Sequence, residues 1–192
     1  MRDILDEIDN TMINTSHSKI IPYQSDWPIK FQAEKEVLQK IFGDKLLAIE
    51  HVGSTAIPRL SSKNIIDIAV MIENHEDVDY FTESLKQLGY KLHSTSAERH
   101  FYTKGDPIEY HLSIAYAKRG GFWPRQIIFR DYLRNYPEAM EEYQKLKLDL
   151  LKKDPTGKGE YIIGKSNFVQ EILRAAEWRE QTYEEWVLEN NG

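Results

Sequence analysis

The fold is decided by Ile49-Glu50-His51-Val52-Gly53-Ser54-Thr55-Ala56-Ile57-Pro58-Arg59-Leu60-Ser61-Ser62-Lys63-Asn64-Ile65-Ile66-Asp67-Ile68-Ala69-Val70-Met71-Ile72-Glu73. The stretch reads as strand, glycine turn, loop, strand. Residues 46–52 are mostly apolar and stop at Gly53-Ser54-Thr55, and residues 65–72 are apolar except for Asp67. Apolar runs of this length bounded by turn residues predict buried strands. A carboxylate inside such a run is costly unless paired, so Asp67 requires a metal ion, a cation or hydrogen-bond donors. Gly53 permits positive φ and a close approach to the backbone. Ser54 and Thr55 can cap a following turn and leave N–H groups facing an anion, and Lys63 adds positive charge. The combination suits a nucleotide held by its phosphates through a divalent metal. A tight turn beside a satisfied core aspartate is the alternative that so short a motif leaves open.

The residues Glu50-His51-Val52-Gly53-Ser54-Thr55, then Pro58, Leu60, Lys63 and Ile65-Ile66-Asp67-Ile68, resemble the signature of the GrpB family, and the resemblance extends from about Tyr23 to Ala176. It implies the α/β (α+β) fold of the nucleotidyltransferase superfamily: a mixed, mainly antiparallel sheet flanked by helices, with a C-terminal helical extension. It also implies magnesium-dependent transfer of a nucleoside monophosphate from a nucleoside triphosphate to a small-molecule or protein acceptor. In that superfamily a Gly-Ser turn follows the first strand, and two carboxylates spaced i, i+2 on the next strand bind metal. Positions i and i+2 share a face of a strand, but here the second is Ala69. One carboxylate can help hold magnesium if waters and substrate phosphates complete the shell, whereas a two-metal site is harder to build. The alternatives are a nucleotide- or phosphate-binding module without transfer, and an interaction protein whose site is dead.

Carried over residue by residue, the resemblance gives Gly53, Ser54 and Thr55 to the triphosphate and Asp67 to the metal. Lys63, Arg130 and Lys165 neutralise phosphate charge, as phosphoryl transfer requires. A family His-x-His pattern follows an upstream arginine: His111 and Arg99 match, but the second histidine is Ser113. His111 can act on metal, phosphate or a proton, and Glu109 can supply a missing carboxylate or help activate an acceptor hydroxyl. Tyr161 and Lys165 match a family tyrosine-to-lysine spacing that puts both on one helix face. Arg130 lies in Phe129-Arg130-Asp131-Tyr132-Leu133 and suits phosphate or carboxylate; a helix-packing role with Asp131 is its alternative.

Along the rest of the chain, residues 1–19 form a peripheral segment in which Ile4, Leu5, Ile8 and Met12 keep helical spacing, and residues 20–192 form the domain. Asp26-Trp27-Pro28 opens a helix that Gly43 ends. Helices are expected at residues 76–88, 122–135 and 138–153, strands at 90–93, 100–103 and 109–116, and a turn at Gly105-Asp106-Pro107. On the last strand Glu109, His111 and Ser113 share a polar face. The Lys and Glu residues of the 138–153 helix read as a solvated face. Aromatics Trp178, Tyr183 and Trp186 either pack back on the domain or serve a homodimer contact. The charge of −6, from 25 basic and 31 acidic residues, argues against bulk nucleic-acid binding. The absence of cysteine excludes disulfides and thiolate chemistry. No apolar run is long enough to span a membrane, so a cytoplasmic protein is expected.

Overall fold

A computed structural model describes residues 19–157 and 159–190. The expected N-terminal helical spacing lies outside these residues. Helix α1, Trp27–Phe42, carries a proline in its first turn and ends at Gly43. Its buried stripe is Trp27, Glu34, Leu38 and Phe42, and the Trp27 indole N–H donates to Asn64 Oδ1 at 2.8 Å. The deciding stretch folds as β1, Leu46–Val52, a short 3-10 turn at Ser54–Ala56, and β2, Ile66–Ile72. The helix expected from residue 76 begins as a 3-10 turn, His75–Val78, before α2, Asp79–Gln87. Strands β3, Tyr90–Thr95, β4, Arg99–Gly105, and β5, Ile108–Tyr116, follow. Then come α3, Phe122–Asn135, α4, Pro137–Lys153, α5, Glu160–Ala175, and α6, Tyr183–Asn190.

The strands form one sheet in the order β1-β2-β5-β4-β3. Only the central β2–β5 pair is parallel; β1–β2, β5–β4 and β4–β3 are antiparallel. The sheet is therefore mixed and mainly antiparallel. One face buries Ile66, Ile68, Val70, Leu112, Ile114 and Tyr102 against α1 and α2 through Trp27, Leu38, Phe81 and Leu85. The other buries Val52, Ala69, Met71 and Ala115 under Phe122, Trp123 and Ile127 of α3. Coverage of both faces explains why β2 reads as a nearly continuous apolar run. A third cluster joins the loop residues Ile57 and Leu60 to Phe129, Leu133, Met140, Tyr143 and Ile172, and so clamps the turn after β1 against α3, α4 and α5.

The polar face of β5 is not a solvent face: Ser113 is buried and His111 half-buried on the α3 side. The C-terminal aromatics pack back. Tyr183 and Trp186 lie against the α3 cluster, and the Arg125 guanidinium sits 5.8 Å from the Trp178 ring. Among the described residues no helix is long and apolar enough to cross a membrane.

Candidate functional site

The register puts Val52 opposite Asp67 on one side and His111 opposite Asp67 on the other. Side chains of paired residues share a face, so Asp67 and His111 meet near the end of the central strands where β1 turns away. His111 Nδ1 lies 2.9 Å from Asp67 Oδ1, with Asp67 35% and His111 13% exposed. His111 Nε2 is buried without a protein partner. Asp67 accepts from Nδ1–H, which leaves Nε2 as the unprotonated nitrogen of the neutral ring. The imidazole also rests edge-on against Phe101, with ring centroids 5.1 Å apart.

Gly53 is required by this carboxylate. It adopts φ +68°, and a Cβ there would stand 2.3 Å from Asp67 Oδ2. Ser54 and Thr55 then diverge. Thr55 is fully buried; its hydroxyl donates to Ile65 O at 3.1 Å and accepts from His51 Nε2–H at 3.0 Å. His51 stacks on Phe31, and burial lowers its pKa to about 4, so it works as a neutral donor. Thr55 thus ties the turn to the start of β2, and its hydroxyl is spent on these two contacts. Ser54 points the other way, with Oγ 3.3 Å from Lys147 Nζ.

Lys147 was not expected here. The solvated face read for α4 fails at this residue, which is 2% exposed. Its ammonium nitrogen reaches Ser61 O at 2.6 Å as well as Ser54 Oγ. Both partners are neutral oxygens, unlike those of Lys104, which meets the Glu34 carboxylate at 2.7 Å. Burial, reinforced by the nearby charge of Lys165, lowers the Lys147 pKa to about 6. The spacing held a signal: Tyr143 and Lys147 on α4 repeat the Tyr-x-x-x-Lys spacing of Tyr161 and Lys165 on α5.

The two motifs face one cleft. Lys147 Nζ lies 4.8 Å from the Tyr143 ring centroid, Lys165 Nζ 5.2 Å from that of Tyr161, and Lys63 Nζ 5.6 Å from the Tyr161 ring from the loop side. Burial and the charge of Lys165 together lower the Lys63 pKa to about 8, against the opposing pull of Asp67. Burial also works against the charge of Lys165, but contacts with the Tyr143 and Tyr161 hydroxyls and the field of Asp67 leave it above the ordinary lysine range. The structure therefore brings Gly53, Ser54, Lys63, Asp67, His111, Tyr161 and Lys165 together, and adds Tyr143 and Lys147.

Three expected site residues stand elsewhere. Arg130 on α3 is buried and occupied: Nη1 donates to Glu50 Oε2 at 2.6 Å and His51 O at 3.0 Å, while Nε and Nη2 hold Asp131. It pins α3 to β1, the packing role, rather than facing the lysine cleft. Arg99 donates to Ser113 Oγ at 2.7 Å, and its guanidinium lies between the Phe101 and Phe122 rings, at 4.9 and 4.8 Å. It covers the ring that supports His111. Glu109 is solvent-exposed at the start of β5.

The donor set does not fit a resident magnesium centre. Ala69 contributes nothing, Asp67 Oδ1 is engaged by His111, and among the described residues no three His, Asp or Glu side chains gather around one point. Magnesium requires near-octahedral oxygen coordination.

A mixed, mainly antiparallel sheet with a glycine-serine turn after its first strand, an aspartate on its second and helices packed over both faces defines an α+β domain. The chain belongs to the GrpB family, whose model, described as GrpB protein, matches residues 17–175. UPF0157 protein YqkA of Bacillus subtilis is 36% identical over 154 residues, 79% of this chain and 45% of YqkA. The chain thus spans less than half the length of that relative. Glutamate-rich protein GrpB of Alkalihalophilus pseudofirmus is 33% identical over 169 residues, covering 84% of this chain and 97% of that protein. The crystal structure of GrpB from Enterococcus faecalis superposes with a TM-score of 0.75 at 29% identity, over 82% of this chain and 96% of that one. A weak structural link reaches Cid1, described as having RNA terminal uridylyl transferase activity: TM-score 0.45, 16% identity, 79% of this chain and 44% of that one.

Proposed function

We propose that the cleft binds the polyphosphate of a nucleotide, with Lys147, Lys165 and Lys63 as counter-charges and Ser54 as a hydrogen-bonding partner. The observation that carries this reading is Lys147, a buried amine held by two neutral oxygens beside two further lysines. A buried cation without a counter-ion is costly. An anionic ligand supplies the missing charge, and it does so beside the turn that carries Ser54. Magnesium enters as part of the metal–nucleotide substrate, because the protein offers it one aspartate oxygen.

Transfer chemistry is a second reading, favoured by the unpartnered His111 Nε2. In that reading Nε2 takes the proton of an acceptor hydroxyl and Asp67 stabilises the imidazolium. The acceptor oxygen bonds to the α-phosphorus, the α–β phosphoanhydride bond breaks, and pyrophosphate leaves between the lysines. The acceptor is a small molecule or a protein.

Calorimetric titration of the four nucleoside triphosphates, ADP and pyrophosphate, with and without magnesium, tests both readings on wild type and Lys147→Met. Saturable binding by wild type that Lys147→Met weakens at least tenfold is expected, on the order of the worth of one charge-assisted contact. If none of these ligands binds, the nucleotide reading fails. Acceptor-dependent pyrophosphate release that His111→Gln abolishes, with nucleotide affinity retained, separates transfer from binding alone.

A further inference from the structure

The outer flank of α4 carries an open groove of about 510 Å³ lined by Lys19, Ile20, Leu148, Leu151, Lys152 and Pro155. The last four are spaced i, i+3, i+4 and i+7, so they form one stripe along the end of the helix and just past it. The stripe is unpartnered where it matters: Leu148 is 41% exposed. Ile20 is the facing wall, and it is fixed, because the next residue pairs its backbone with Ser62 in both directions at 2.9 Å. The chain enters the described fold at Lys19, on the rim of this groove.

What precedes Lys19 has the complementary chemistry. Residues 4–12 place Ile4, Leu5, Ile8 and Met12 at helical spacing, and Asp3, Asp6, Glu7 and Asp9 outnumber the single Arg2. The groove is apolar inside and has Lys19 and Lys152 at its edges. Lys152 has only an exposed contact with Asp149, at 3.0 Å, to give up, and such pairs are worth little. Met12 is separated from Lys19 by residues 13–18, a tether of at most about 24 Å when extended, so an apolar segment is delivered at high effective concentration to an apolar groove at its own base.

We propose that residues 4–12 dock into this groove of the same chain, with their apolar face on Ile20, Leu148 and Leu151 and their carboxylates toward Lys19 and Lys152. The docked segment braces α4 on the flank beside the face that carries Tyr143 and Lys147. The inference rests on the groove and the segment, not on any ligand of the cleft.

The chain contains no cysteine, so engineered pairs report cleanly. Leu5→Cys with Leu148→Cys is oxidised with diamide and compared with Leu5→Cys with Leu92→Cys, whose second thiol sits on exposed β3. Disulfides form only where Cα atoms approach within about 7 Å. The expected result is an intramolecular link in the first pair, independent of protein concentration and at least tenfold faster than in the second. Equal rates in the two pairs, or no link in the first, overturn the proposal. So does a covalent dimer that grows with concentration, which assigns the groove to a second copy. Hydrogen exchange on the full chain carrying Ile8→Asp gives an independent reading. Amides at residues 148–153 are expected to exchange roughly tenfold faster in that variant, the worth of one buried isoleucine. Unchanged exchange there also overturns it.

Discussion

At the scale of single residues, the cleft is set by what two small or buried side chains exclude. Gly53 gives Asp67 its room, since any Cβ would stand 2.3 Å from Oδ2 on a backbone with φ +68°. Gly53→Ala is therefore expected to destabilise the fold by roughly 1–3 kcal/mol, read as a lower denaturant midpoint with an unchanged slope. An unchanged midpoint would mean that Asp67 swings away freely and that its contact with His111 is not a fixed feature. Lys147 behaves in the opposite sense. Removing a buried amine that lacks a carboxylate should help the empty protein and harm the liganded one. Lys147→Met is expected to raise the thermal midpoint while lowering pyrophosphate affinity, and a fall in both would mark the lysine as ordinary structural support. Asp67 was legible in the sequence because one charge interrupts an apolar run. Lys147 was not, because a lysine on a charged helix reads as solvated until the neighbouring helix is in place. Thr55 and Arg130 belong to the motifs that resemble the family, yet their hydroxyl and guanidinium are spent on carbonyls and carboxylates within the fold.

At the scale of elements, the strands and most helices follow from pattern alone. The apolar runs at residues 46–52 and 66–72 are β1 and β2, and the punctuation at Gly43 and Asp106-Pro107 falls between elements. What pattern could not give is pairing. The parallel β2–β5 contact brings Asp67 and His111, 44 positions apart, into register, and no local signal encodes that. The α4–α5 pair was equally hidden, although it builds the cationic half of the cleft. The two helices pack tightly at Gly164, where a Cβ would meet both Leu150 methyl groups at 2.7 Å. Gly164→Val is expected to push the helices apart and draw Lys165 away from Lys147. Overpacking of this kind costs typically 1–3 kcal/mol. The measurement is pyrophosphate affinity beside thermal stability: affinity should fall well beyond the effect of the lost stability. Retained affinity in a destabilised variant would show that the lysines do not act as a pair.

At the scale of the whole molecule, the cleft makes stability and ligand binding functions of pH with a definite sign. Burial lowers the Lys147 pKa to about 6 and that of Lys63 to about 8, both from an ordinary 10.5. Between those values and 10.5 the unfolded chain holds protons that the folded one has released, so stability rises with pH across that window. The contribution approaches about 1.4 kcal/mol per pH unit for each group while its folded form is deprotonated and its unfolded form is not. Below pH 6 both states carry the Lys147 proton, and that lysine stops contributing to the slope. Above 10.5 neither state holds it, and its penalty is gone. An anionic ligand reverses the situation by giving the ammonium a counter-charge, which raises both pKa values. Binding at pH 8 must then take up protons from the buffer. Titrations of pyrophosphate in buffers of different ionisation heat are expected to give apparent enthalpies that differ in proportion to that heat. The slope should be positive, on the order of one proton or more per ligand, and smaller in Lys147→Met. A slope of zero in wild type would mean that the amines are charged before the ligand arrives, and the cleft would then be a prepaid cationic site rather than one completed by its ligand.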